Sequence, residues 1–316
     1  MATYGHQPVE KPYDFVPLPK DGVKRTPPAG HHMLRPGLLQ GSIEGELIAS
    51  TPIHIGTGGI EVGKEPPLFK AHFRSGGNAV VPGSSLKGAV RSVLEAISYS
   101  CVRVQSRDTR RFLPRAFEAC EITGPSTSLC PACRLFGAMG YEGQIRFADA
   151  VLIKGGFRYL SVPSLFPPRT DARLYRDRNG RVRGRKFYFH GQPASGNLPL
   201  EVCAAASVFR LRLHFSNLVE SELGLLLLAL GQGDSPMDLK LGGAKPVCCG
   251  SMEVQVKTVQ TRDGTSDALD WDSTGCPEKR VRWLAAAREL VAPESLKALQ
   301  SIWAPGRPHT CPSLPY

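Results

Sequence analysis

Two strictly alternating stretches with an apolar helix between them constrain this chain more than any other feature. VFRLRLHF, Val208 to Phe215, and SMEVQVKTV, Ser251 to Val259, alternate apolar and polar side chains. A period of two puts one face of a strand on a core and the other in water. Between them Asn217, read as an N-cap with Glu220 three residues on, opens an apolar run from Leu223 to Leu230 that stops at Gly231. An earlier stretch repeats the order. Ser42 to Ile55 reads as a strand ending in the glycine cluster Gly56, Gly58 and Gly59, and Asn78 to Pro82 as a short second strand. From Ser84, taken as N-cap, Leu86, Val90, Val93, Leu94 and Ile97 recur at three and four, the spacing of a helix face. Strand, helix and strand, twice over, predict an α+β fold: a modified ferredoxin-like (RNA-recognition-motif-type) domain with insertions.

The 33 glycines and 27 prolines mark the boundaries. Residues 1–40 read as an irregular, proline-punctuated arm and 303–316 as an irregular tail. Between them, 41–302 reads as a single domain with insertions at about 99–160 and 165–200, and a late helix from Glu278 to about Gln300 is interrupted at Pro293. The longest aliphatic run, Leu225 to Leu230, is far short of the roughly 18 residues of a membrane span, and the N-terminus lacks the apolar core of a signal peptide. A soluble, cytoplasmic protein with no membrane partner is therefore expected. Lysine and arginine number 39 against 28 acids, a net charge of +11 that favours a polyanion. Nine cysteines, an odd number without an export signal, suit metal or free thiols better than a disulfide framework.

Four segments carry chemistry. VPGSSLKGAVRSVLE places Ser84 and Ser85 at a helix opening with Lys87 and Arg91 one turn apart, and unpaired N–H groups beside cations suit a phosphate. The plain alternative is a capped helix with solvated charges. LKLGGAKPVCCGSMEV is a glycine-rich loop in which Gly242 and Gly243 allow close backbone approach and Lys245 adds charge; a tight turn with a surface lysine is the alternative. RTDARLYRDRNGRVRGRKFYFH sets eight cations, among them Arg181, Arg183, Arg185 and Lys186, against two acids, and its Asn179–Gly180 pair signals a β-hairpin. With Tyr188 and its aromatic neighbours this basic hairpin offers phosphate neutralisation and base stacking; a solvated charged surface with some of the aromatics in the core is the alternative. Cys120, Cys130 and Cys133 read as a structural zinc (Zn) knuckle, with Cys101 upstream as the natural fourth ligand or a histidine from another segment in its place, against a redox alternative. Cys248 and Cys249 read as small buried residues, and the histidines stand in no context that specifies a nucleophile or a metal dyad.

Taken in order, TPIHIGTG (Thr51 to Gly58), PGSSLKGAVRSVLE (Pro82 to Glu95), CPACRLFG (Cys130 to Gly137) and the LGGAKP loop (Leu241 to Gly250) resemble the RAMP superfamily of CRISPR-associated proteins. The match is specifically to the backbone subunit of type III-like complexes, and RGRKFYFH and YDFVPLP look like its type III-D-like branch. The resemblance implies a subunit that binds crRNA, stacks with further copies of itself head to tail, presents the guide to target RNA, and works with other CRISPR effector subunits. It also implies that His54, Gly56, Ser84, Ser85, Lys87, Arg91, Arg134, Gly242, Gly243 and Lys245 contact RNA, and that a projecting "thumb" comes from one of the two insertions. Target-slicing members carry an aspartate after HIGTG, whereas this chain reads GIEVGKEPPLFK, with Glu61 and Glu65 only. A longer side chain misplaces a carboxylate, so a non-slicing subunit with a separate partner nuclease, as in the similar type VII systems, is expected. Two other readings remain open: a target-slicing endoribonuclease using Glu61 or Glu65, and a zinc-containing monomeric RNA binder.

Overall fold

In the computed structural model, which describes residues 11–103, 107–124, 126–165, 173–264, 272–274, 277–304 and 311–312, the alternating segments are strands that flank a third. The main sheet runs in the order Leu239–Lys240, Ser251–Asp263, Leu39–Ala49, Val208–Leu218, Ala150–Lys154, Asn78–Val81, Arg74–Ser75. Ile145–Phe147 also pairs with Val208–Leu218, and its neighbouring pairs are antiparallel throughout. The alternation does what its period requires: Phe209, Leu211, Leu213 and Phe215 are buried while Arg210, Arg212 and His214 face outward.

Two helices cover the inner face. Gly83–Ile97 buries Leu86, Val90, Val93, Leu94 and Ile97, one apolar stripe. Glu220–Ala229 is apolar all round, so it needs cover on both sides. It packs on the first helix and is covered in turn by Pro277–Ala286. Gly224 makes that close approach possible, because a Cβ there would lie 1.8 Å from the Trp283 carbonyl oxygen. A mixed α+β fold with a curled sheet results.

A second sheet runs in the order Phe157–Val162, Leu198–Cys203, Leu68–His72, Gly56–Val62; the expected strand Ser42 to Ile55 ends at Ala49, and Gly56, Gly58 and Gly59 belong to a strand of their own. No helix among the described residues is long and apolar enough to cross a membrane.

Several expectations are corrected. Asn217 is not the cap of the second helix; it sits at φ +54 inside the strand end, accepting from Arg35 N at 3.0 Å. The cap is Val219, whose N–H donates to Glu222 Oε2 at 3.1 Å. Ser84 is not the cap of the first helix either: the helix runs from Gly83, its N-cap is Pro82, and the Gly83 N–H is taken by Asp149 Oδ1 at 2.7 Å. The stretch 99–160 contains two strands of the main sheet, Ile145–Phe147 and Ala150–Lys154, too short to show a period. In the basic segment the chain does turn at Asp177–Gly180, closed by the Arg176↔Val182 bridge. Its outgoing strand Arg185–Tyr188 pairs not with the incoming residues but with Tyr13–Val16 of the arm. Arg169 lies outside the described residues. The late helix breaks as expected, with Pro293 opening the helix Pro293–Ile302.

Candidate functional site

The HIGTG segment, the first helix and the glycine loop meet at one cleft. Ile55 and Gly56, then Ser85, Gly88, Ala89 and Ser92, then Gly242, Gly243 and Lys245 enclose about 340 Å³. Backbone bonds join the two loops: Gly243 N donates to His54 O at 2.8 Å and Gly250 N to Pro52 O at 2.9 Å. Thr51 Oγ1 adds a bond to Cys248 O at 3.1 Å and accepts from Ser251 N at 3.0 Å. Gly242 has φ +82, and a Cβ there would stand 2.5 Å from His54 O, so only glycine lets the loops close.

The cleft continues at both ends. Through Gly56 and Gly243 it joins a cleft of about 570 Å³ lined by His54, Gly58, Gly59 and Lys70. Through Ala89, Ser92 and Lys245 it joins a cavity of about 390 Å³ lined by Arg185, Lys186, Tyr188, Lys240 and Trp303. One groove thus collects His54, Gly56, Ser85, Gly242, Gly243, Lys245, Arg185, Lys186 and Tyr188.

Its electrostatics favour an anion. Burial lowers the pKa of Lys245 and pushes Lys240 down to about 7. Neither lysine has a carboxylate partner within ion-pair distance among the described residues. Lys240 Nζ instead donates to Ser251 Oγ at 2.9 Å and Cys248 O at 3.2 Å. His54 Nδ1 donates to Glu201 O at 2.7 Å, and burial lowers its pKa, which keeps the ring neutral.

Other residues expected at RNA lie elsewhere. Arg91 is buried, with Nε donating to Glu95 Oε1 at 2.7 Å and Nη1 to Gly137 O at 2.8 Å. Arg134 pairs with buried Glu222 at 2.8 Å and reaches Thr26. Arg183 lies over the Phe15 ring, 4.6 Å from its centroid, and Arg181 is exposed at the turn. Lys87, its pKa lowered mainly by burial, and exposed Ser84 flank the cleft without lining it. Lys70, Lys240 and Trp303 were not foreseen. Lys240 is buried where the following loop folds back over it, its Nζ reaching Cys248 O.

The cysteines form a second centre. The sulfurs of Cys101, Cys120, Cys130 and Cys133 all lie within 4.8 Å of one another, and all four residues are buried. Cys101 Sγ is 3.6 Å from both Cys130 Sγ and Cys133 Sγ, against an edge of about 3.8 Å for a tetrahedron with metal–sulfur bonds of about 2.3 Å. Cys130 precedes the short helix Pro131–Phe136, which carries Cys133 back toward it. Arg91 Nη2 donates to Cys133 Sγ at 3.3 Å, and Arg25 is hydrogen-bonded to Cys120. Four thiolates around a divalent ion carry two negative charges, which these guanidiniums oppose. Arg185 stands beside them, donating to Cys101 O at 2.8 Å, with Nε and Nη1 buried and without hydrogen-bond partners among the described residues. The cluster can hold a metal ion.

Cys248 corrects the reading of a simple buried thiol: it forms a disulfide with Cys311, with Cα atoms 5.9 Å apart. Cys249 stays free and buried.

A search of curated proteins finds no match. The family model of the RAMP superfamily matches residues 46–253, about two thirds of the 316-residue chain. The match begins in the strand Leu39–Ala49, ends in Ser251–Asp263, and so encloses both glycine loops, the helix between them and the cysteine knuckle. The chain belongs to the RAMP superfamily, the CRISPR-associated family that its four ordered motifs resemble.

Proposed function

We propose that this protein is a crRNA-binding backbone subunit of an RNA-guided CRISPR effector complex. The observation that carries the reading is the groove itself, in which two glycine loops fastened by the Gly243–His54 bond set Lys245 beside the first helix. Glycines that admit close backbone approach, and lysines with no carboxylate at ion-pair distance among the described residues, suit a sugar–phosphate chain and leave bases free to pair with target RNA. The antiparallel order 251–263, 39–49, 208–218, 145–154 supports a ferredoxin-like core of the RNA-recognition type.

The subunit is a non-slicing one, working with a separate nuclease and with further copies of itself along the guide. Glu61 and Glu65 are exposed, and neither lines the groove, so neither is placed to activate a water beside a bound strand. Zinc is the ion assigned to the four cysteines, since buried tetrahedral thiolate sets suit it. The test is the RNA that co-purifies with the protein. A crRNA of uniform length with a repeat-derived end supports the reading; protein free of nucleic acid, or bound to heterogeneous RNA as a monomer, contradicts it.

A further inference from the structure

The cavity at the end of the groove is built differently from the cleft that feeds it. Its walls are mostly apolar: Val93, Val102, Leu113, Phe187 and Trp303. Its charges are not balanced. Glu95 is taken by Arg91 at 2.7 Å, and Lys186 is held over the rings of Tyr13 and Tyr188, 4.7 and 4.8 Å from their centroids. That leaves Arg185, Lys240 and Lys245 facing the space together, with Lys245 close enough to disfavour the charge of Lys240. Lys240 is only 7% exposed, with two neutral oxygens as partners. A buried lysine beside a half-buried one, with Asp238 acting on Lys240 only from beyond ion-pair distance, costs stability unless something anionic joins them. The volume of about 390 Å³ falls in the range of small-molecule sites.

We propose that this cavity receives one nucleoside monophosphate unit, its base among the apolar walls and its phosphate between Lys240 and Lys245. Trp303 is fixed for such a role, its Nε1 donating to Tyr188 O at 3.0 Å. The unit is either a free nucleotide or one residue of a strand turned out of the groove at Ala89 and Ser92, which line both spaces. Only the second form rests on the proposed function.

The test uses the full chain and two variants. Lys240→Met removes the buried cation at similar volume. Ser92→Trp, at an exposed helix position, plugs the mouth without touching the core. Equilibrium dialysis measures labelled AMP and UMP; a short oligouridylate is measured with and without one abasic unit. Saturable mononucleotide binding that falls at least about tenfold in both variants supports a free-nucleotide site, about tenfold being roughly 1.4 kcal/mol. If mononucleotides do not bind, the site is a strand site when both variants weaken the oligouridylate about tenfold and the abasic unit matters only in the parent protein. Mononucleotides held equally by both variants, or no mononucleotide binding with oligouridylate affinity unchanged in both, overturn the inference. In that last case the groove reading survives. Mononucleotide binding with no oligouridylate binding sinks the groove reading and leaves the site.

Discussion

The Gly243 N–H donates to the His54 carbonyl at 2.8 Å, so loops from opposite ends of the family match form one wall of the groove. His54 is held in turn by Glu201, whose carboxylate accepts from His72 N at 3.0 Å and pairs with Arg74, so the wall is anchored in the second sheet.

Gly242→Ala tests that joint. At φ +82, with a Cβ 2.5 Å from His54 O, alanine costs about 1–3 kcal/mol and parts the loops. The expected result is a folded protein with a modestly lower melting temperature and RNA affinity at least about tenfold weaker, measured by filter binding. Unchanged affinity contradicts the role given to the loop.

Salt dependence tests the lysine. RNA binding is expected to weaken linearly in log–log form as salt rises, and Lys245→Ala to reduce the slope by about one ion. An identical slope in the variant removes Lys245 from the contact.

Metal content tests the cysteine centre. Protein purified without chelator is expected to hold about one equivalent of zinc by elemental analysis, and Cys130→Ser to lose it. Stripping the ion lowers the melting temperature by more than about 10 °C, because the site's binding energy is folding energy. Arg91→Ala is expected to cost about 3–5 kcal/mol by leaving Glu95 buried and unpaired, and to loosen the metal as well.

Acid sensitivity follows from the buried histidines. Burial pushes His190 down to about 3 and also lowers His54 and His72. Between the ordinary histidine pKa near 6.5 and about 3 the unfolded chain therefore binds more protons than the folded one, so stability falls as pH falls through that window. Urea midpoints measured from about pH 7 to about pH 4.5 are expected to decline; a flat or rising series contradicts this.

What the sequence made legible was periodic or local. Val208 to Phe215 and the stripe from Leu86 to Ile97 declare their faces through repetition, and the cysteine quartet follows from a knuckle plus one upstream thiol. What it hid depends on distant partners. The strand Arg185–Tyr188 pairs with Tyr13–Val16, and Cys248 pairs with Cys311 across 63 residues. Arg91 and Arg134 look like surface cations until Glu95 and Glu222 appear beside them, both buried. Charge patterning gives the sign of a residue, while only tertiary packing tells whether that charge meets solvent, a ligand or an internal partner.

The most direct measurement is mass spectrometry of peptides photo-crosslinked to bound single-stranded RNA. Crosslinks concentrated in residues 54–59, 85–92 and 241–250 are the expected result. Crosslinks confined to other surfaces, with those three segments unmodified, contradict the groove.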